Sequence, residues 1–187
     1  RTVMAIEAAR LLAKHHALSQ TAAHGVLSGL AIELLGAAHD PAQLLQVWSL
    51  LEPAEQTMPD VAIVAAQRLL VLGGSAAVGR QWLLPVWHKM LDQPTGLGQH
   101  QCVNLVRALE AGFASGGSAP VDNDWLTRIE SAQLSHPGDA VLQYLAGVTC
   151  MRLQLWGKAQ QLLQQSLLRL QDTGLRRDAW RQLAELA

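Results

Sequence analysis

A chain of 187 residues and 20.2 kDa suits one domain or one elongated array of small units. Its 34 leucines and 28 alanines, against 4 isoleucines, 13 valines, one tyrosine and one phenylalanine, exclude a fold built on sheets, and 50% hydrophobic with only 16% charged residues excludes disorder. A net charge of -1, a pI near 6.7 and no polybasic run exclude a phosphate-neutralising face, so no nucleic-acid partner is expected.

Apolar residues recur at three- and four-residue spacing through ten segments, each predicting an amphipathic helix: 2–15, 20–36, 41–52, 60–73, 76–92, 98–114, 122–135, 139–153, 156–171 and 174–187. Asp40-Pro41 and Pro59-Asp60 mark helix starts, whereas Gly73-Gly74 and Gly116-Gly117 mark ends. Pro85 stands inside Trp82-Leu83-Leu84-Pro85-Val86-Trp87 and predicts either a kink or two short helices, the second opened by the proline. Ser115 to Asn123, which opens with the small-residue run Ser115 to Ala119 and then meets Pro120, predicts the longest loop and a mobile one. Segments 61–72 and 141–155 are apolar nearly all round, while 156–171 carries one stripe of Trp156, Ala159, Leu163, Ser166, Leu167 and Leu170. Inner helices covered on several sides, alternating with one-faced outer helices, predict an all-α solenoid of stacked helical hairpins.

The chemistry-bearing residues point away from catalysis. Cys102 and Cys150 are isolated, which favours two small buried hydrophobes over a disulfide or a zinc site. The seven histidines (His15, His16, His24, His39, His88, His100 and His136) include no pair at i, i+4 and no HExxH, so no metal site and no cofactor are expected. No serine lies in a GxSxG elbow and no paired carboxylates occur in an apolar stretch, so the chain is read as no enzyme. The tryptophans Trp48, Trp82, Trp87, Trp125, Trp156 and Trp180 are expected to pack between hairpins, with one of Trp82 and Trp87 left exposed by the proline. The most apolar window, Val61 to Leu72, is interrupted by Gln67 and Arg68 and does not span a membrane. A start at Arg1 without a signal sequence, and an apolar end at Leu186-Ala187, are read as a piece of a longer chain whose anchor lies elsewhere.

The last third resembles the tetratricopeptide repeat, a 34-residue helix-turn-helix unit. Over about 140–173, Gly147 and Ala159 match the small crossing positions, Trp156 the aromatic that opens the second helix, and Leu163 the large position one turn later. Trp180, Leu183 and Ala184 begin a further unit, and Pro137 closes the preceding one; Gln143 and Gln171-Asp172 depart from the pattern. The resemblance implies one superhelical domain over 1–187, with degenerate repeats in 1–97 and better-matched ones in 98–187.

Longer strings, Leu142-Gln-Tyr-Leu-Ala-Gly147, Leu155-Trp-Gly-Lys-Ala-Gln-Gln-Leu-Leu163 and Leu175-Arg-Arg-Asp-Ala-Trp180, are similar to the HemY-type tetratricopeptide proteins of Gram-negative haem biosynthesis. Leu105 to Gly112, Trp125 to Glu130 and Pro59 to Ile63 extend the likeness over 59–187. It implies a scaffold for haem-pathway proteins, held at the inner membrane by an N-terminal anchor and facing the cytoplasm. The flavin-dependent oxidase of the same name is unrelated, since Gly96-Leu97-Gly98 is followed by Gln101 where its third glycine belongs. In such a stack the first helix of each hairpin lines a concave groove, which implies a strip of Tyr144, Val148 and Arg152 extended by Arg107 and Arg181, suited to a peptide or a helix bearing an acid. An adaptor for another membrane-assembly system, and a tetrapyrrole carrier, are the competing readings.

Overall fold

Capping chemistry starts several of the helices. Side chains accept hydrogen bonds from first-turn amides at Ser19 for α2 (Gln20–Gly36), Asp40 for α3 (Pro41–Leu50), Asp122 for α8 (Asn123–Ser135), Asp139 for α9 (Ala140–Arg152) and Asp172 for α11 (Thr173–Leu186). The remaining helices are α1 (Thr2–Lys14), α4 (Pro53–Gln56), α5 (Pro59–Val71), α6 (Ala76–Asp92), α7 (Gln99–Ala114) and α10 (Trp156–Leu167). This computed structural model describes residues 1–93, 95–114 and 122–187, and among them no strand occurs. Of the loop expected from Ser115 to Asn123, residues 115–121, with Gly116-Gly117, lie outside the described residues, and Asn123 already belongs to α8. Eleven helices rather than ten follow because the expected 41–52 helix stops at Leu50, and Pro53 then starts the separate turn of α4.

Helix α5 stops as the double glycine demands. Gly73 takes φ +85, and the Gly74 amide donates to the Leu69 carbonyl at 2.8 Å, closing the last turn. Pro85 neither splits nor ends its helix: α6 runs unbroken from Ala76 to Asp92. The proline faces solvent, while Leu83, Val86 and Trp87 on either side of it are buried, so packing holds both halves in one helix despite the lost amide.

The chain groups into two compact units, Arg1–Asp92 and Gln93–Ala187. In the first, α1 packs on α2, α2 on α5, and α5 on α6, with α3 touching both α2 and α5. Its core joins Ile6, Ala31, Leu35, Leu44, Val61, Ala65 and Leu69. Beside it Trp48 and Trp82 stack at 4.3 Å with 18° between rings, and Trp87 is fully buried. Neither Trp82 nor Trp87 therefore stands free at the proline, which corrects that expectation. Glu55, 1% exposed, takes Arg10 side-on, with Nε to Oε2 at 2.7 Å and Nη2 to Oε1 at 2.6 Å. Arg10 also donates to the Leu50 carbonyl, and Glu55 receives the Glu52 amide, so one ion pair ties α1 to the α3–α4 corner.

In the second unit α9 is central. Every residue from Leu142 to Cys150 is buried, and α7, α8, α10 and α11 all pack against it. Gly147 is where α10 comes closest: a β-carbon there would lie 2.8 Å from Leu163 Cγ and 3.3 Å from the Leu163 amide nitrogen. Ala159 and Leu163, on the inner face of α10, are fully enclosed. Trp156 opens α10 but is 50% exposed, Trp180 is 59% exposed, and Leu183 is half-buried, so the two indoles do not pack between helices as expected. Each projects from the outward side of a helix whose opposite face already fills the contact.

Two substitutions test this packing. Gly147→Ala gains helix propensity of about 1 kcal/mol, yet overpacking against Leu163 should make it destabilising by about 1–3 kcal/mol in urea unfolding followed by circular dichroism. Arg10→Met leaves Glu55 buried and unpaired, and should cost about 3–5 kcal/mol by the same measurement.

Candidate functional site

Polar side chains from three helices meet beside the buried α9. Tyr144 reaches toward α7, where its hydroxyl donates to Glu110 Oε1 at 2.8 Å. Arg107, one turn before Glu110, pairs with it at 3.0 Å and lies 6.0 Å over the tyrosine ring. The same guanidinium reaches across to α11 and pairs with Asp178 Oδ2 at 2.7 Å. Arg181, one turn after Asp178, brings Nη2 within 3.0 Å of Oδ1, and Arg177 Nε stands 3.6 Å from that oxygen. Oδ1 is buried and accepts no hydrogen bond among the described residues, so Arg181 meets it as an ion pair.

Electrostatics fix the protonation of this cluster. Burial pushes the Tyr144 hydroxyl far above its ordinary value near 10, and the charge of Glu110 with the hydrogen bond to it adds to the rise against the pull of Arg107. Burial works against the charge of Arg107, but Tyr144, Glu110 and Asp178 outweigh it and hold the guanidinium above its usual range. Burial also raises both thiols, Cys102 and Cys150, which leaves little thiolate at neutral pH. Among the described residues no group of three or more His, Cys, Asp or Glu side chains is placed to hold a metal ion, and no helix is long and apolar enough to cross a membrane.

Next to the cluster an open groove of about 830 Å³ runs between the end of α9, the start of α10 and the second half of α11. Met151, Arg152, Trp156, Arg181, Glu185 and Leu186 line it. Arg152 is exposed and has no ion-pair or hydrogen-bond partner among the described residues.

No protein-family model matches the chain, and no curated protein or solved structure is significantly similar to it. The site is therefore read from its own geometry.

The five residues expected to form one open strip do not stay together. Tyr144 and Arg107 sit in the buried cluster, Arg152 lines the groove, and Arg181 belongs to both. Val148 belongs to neither. Tyr144 and Val148 do not face the groove as expected but are 0% and 3% exposed, because α9 is covered on every side from Leu142 to Cys150. Glu110, Asp178 and Glu185 were not anticipated. Their signal was present as i, i+3 and i, i+4 charge pairs, Arg107 with Glu110, Asp178 with Arg181, and Arg181 with Glu185.

Tyr144 is the single tyrosine of the chain, so phenolate absorbance reports on it alone. The folded state holds a proton that the unfolded state releases above about 10, so stability is undiminished below that pH and falls as pH rises beyond it. Alkaline titration should show no phenolate band in the folded protein near pH 10, and the band should appear together with the loss of helical circular dichroism. Tyr144→Phe should remove this alkaline slope and cost about 1 kcal/mol at neutral pH through the donor lost to Glu110.

Proposed function

We propose that the chain is a non-catalytic scaffold of tetratricopeptide-like hairpins that binds another protein. The observation that carries this reading is the open groove beside α9, lined by cations, an indole and aliphatic side chains and built on helices held rigidly by a packed interior. Helix order in the second unit supports the repeat architecture: α9 pairs with α10 through Gly147 and Leu163, and α11 then packs on α10 as the first helix of a following unit would. The buried polar groups serve each other, since Tyr144 and Arg107 are fully engaged by Glu110 and Asp178 and leave no poised acid, base or nucleophile.

The likeness of 59–187 to HemY-type proteins supports a narrower reading, a scaffold that gathers haem-pathway proteins at the cytoplasmic face of the inner membrane. An adaptor serving another membrane-assembly system would use the same groove with different partners. Proximity labelling in cells, with a biotin ligase fused to the protein, separates the two. Enrichment of haem-pathway enzymes is the expected outcome, and enrichment of envelope-assembly proteins alone overturns the pathway assignment. Titration of the purified protein with haem should give no saturable Soret shift; a shift abolished by replacing one histidine would replace the scaffold by a tetrapyrrole carrier.

A further inference from the structure

We infer that the α9–α10–α11 groove is a docking site for an extended peptide in which an acidic residue and a neutral or basic one stand about two positions apart, with an apolar side chain between them. This rests on the scaffold reading above and names the chemistry of its partner.

Charge and shape carry the inference. Arg152 has no partner among the described residues, and Arg181 is 64% exposed with its charge held in place by Asp178 from the buried side. Two guanidiniums converging on one groove suit a carboxylate, which takes two parallel N–H donors from an arginine fork. Asp178 does not use up this capacity, because its Oδ2 is taken by Arg107 and its Oδ1 makes no hydrogen bond with Arg181. It acts as a positioning residue, restricting the Arg181 side chain before a ligand arrives and so lowering the ordering cost of binding.

Trp156 stands half-exposed in the same groove as a flat, rigid face on which an aliphatic, proline or aromatic side chain can lie. Glu185 sets the polarity of the site. It follows Arg181 by four residues on α11, so the cationic and anionic positions are separated by one helical turn, about 5–6 Å between β-carbons. An extended peptide advances about 3.3 Å per residue, so the second residue beyond the acid meets Glu185. A carboxylate there is repelled and a neutral or basic group is accepted. An unbroken acidic run, an anionic lipid surface or a nucleic acid backbone does not match a groove that alternates in sign.

Fluorescence anisotropy on the full chain tests this, with labelled peptides of about ten residues in a Gly-Ser background. The probes carry Glu-Pro-Lys, Gln-Pro-Lys or Glu-Glu-Glu at the centre. The Glu-Pro-Lys peptide should bind, and Gln-Pro-Lys and Glu-Glu-Glu should each bind about tenfold more weakly, one charge-assisted contact being worth roughly that factor. Arg152→Gln and Arg181→Gln should each weaken the Glu-Pro-Lys peptide about tenfold without affecting Gln-Pro-Lys. Trp156→Ala should weaken both of these peptides, and Glu185→Gln should restore binding of Glu-Glu-Glu. Asp178→Asn should weaken Glu-Pro-Lys binding even where circular dichroism shows the helices intact. Arg181→Lys keeps the charge but loses the fork, and should bind less well than the native protein.

Equal affinity for the three peptides, affinity unchanged in both arginine variants, no binding of any peptide, or binding only to phosphatidylglycerol vesicles or to single-stranded DNA would each overturn the inference. Repeating the cellular labelling with the Arg152→Gln, Arg181→Gln double variant distinguishes the two readings. A labelled partner set unchanged by the double variant overturns the groove while leaving the scaffold, and a native protein that labels no consistent partner overturns the scaffold itself.

Discussion

Helix α9 has no solvent face between Leu142 and Cys150, and the arrangement of the second unit follows from that. A helix apolar all round must be covered all round, since each exposed aliphatic side chain forgoes about 1.5–3 kcal/mol of burial. Four helices supply the cover, and the closest of them approaches over Gly147, where only a hydrogen leaves room for Leu163. Because α7, α8, α10 and α11 are all placed by this one rod, the side chains they carry are held in a fixed relation to each other.

The polar cluster is a consequence of this enclosure. Tyr144 is carried into the interior with its helix, and a buried phenol needs a partner. Glu110 provides it, Arg107 balances Glu110, and Asp178 balances Arg107, so one enclosed hydroxyl recruits a chain of charges that ends at the surface with Arg181. Neutral apolar side chains of similar shape could fill the same volume with comparable stability. What the charges add is direction: a guanidinium anchored from behind and presented at the edge of a groove. Fold and recognition surface are thus joined through Asp178.

The first unit also joins its helices through a buried charge. Arg10 and Glu55 lock α1 onto the corner formed by α3 and α4, and the Trp48–Trp82 stack brings α3 and α6 side chains together. Its apolar core lies beneath, from Ile6 through Leu35 to Leu69. The two prolines at this corner, Pro53 and Pro59, start α4 and α5, so a stretch that reads as two helices joined by a linker forms three helices.

Helix content, most helix starts and the burial of 142–150 were legible in the amino-acid pattern, because they depend on neighbours within a few positions along the chain; the expected all-round cover of 61–72 and 141–155 fails at Val71 and over 152–155, which are exposed. Leucine and alanine spacing, a capping aspartate or a double glycine acts over one turn, and that information is local. The fate of Pro85, the exposure of Trp156 and Trp180, and the interior position of Tyr144 and Val148 were not legible, because each depends on which helix lies opposite. The charge pairs within α7 and α11 could be seen as helical spacings. Their convergence on one buried carboxylate could not, since Arg107 and Asp178 are 71 positions apart and meet only when α7 and α11 are brought to the same side of α9. Periodicity specifies which face of a helix is apolar; long-range packing specifies what that face meets, and the groove exists only in the second.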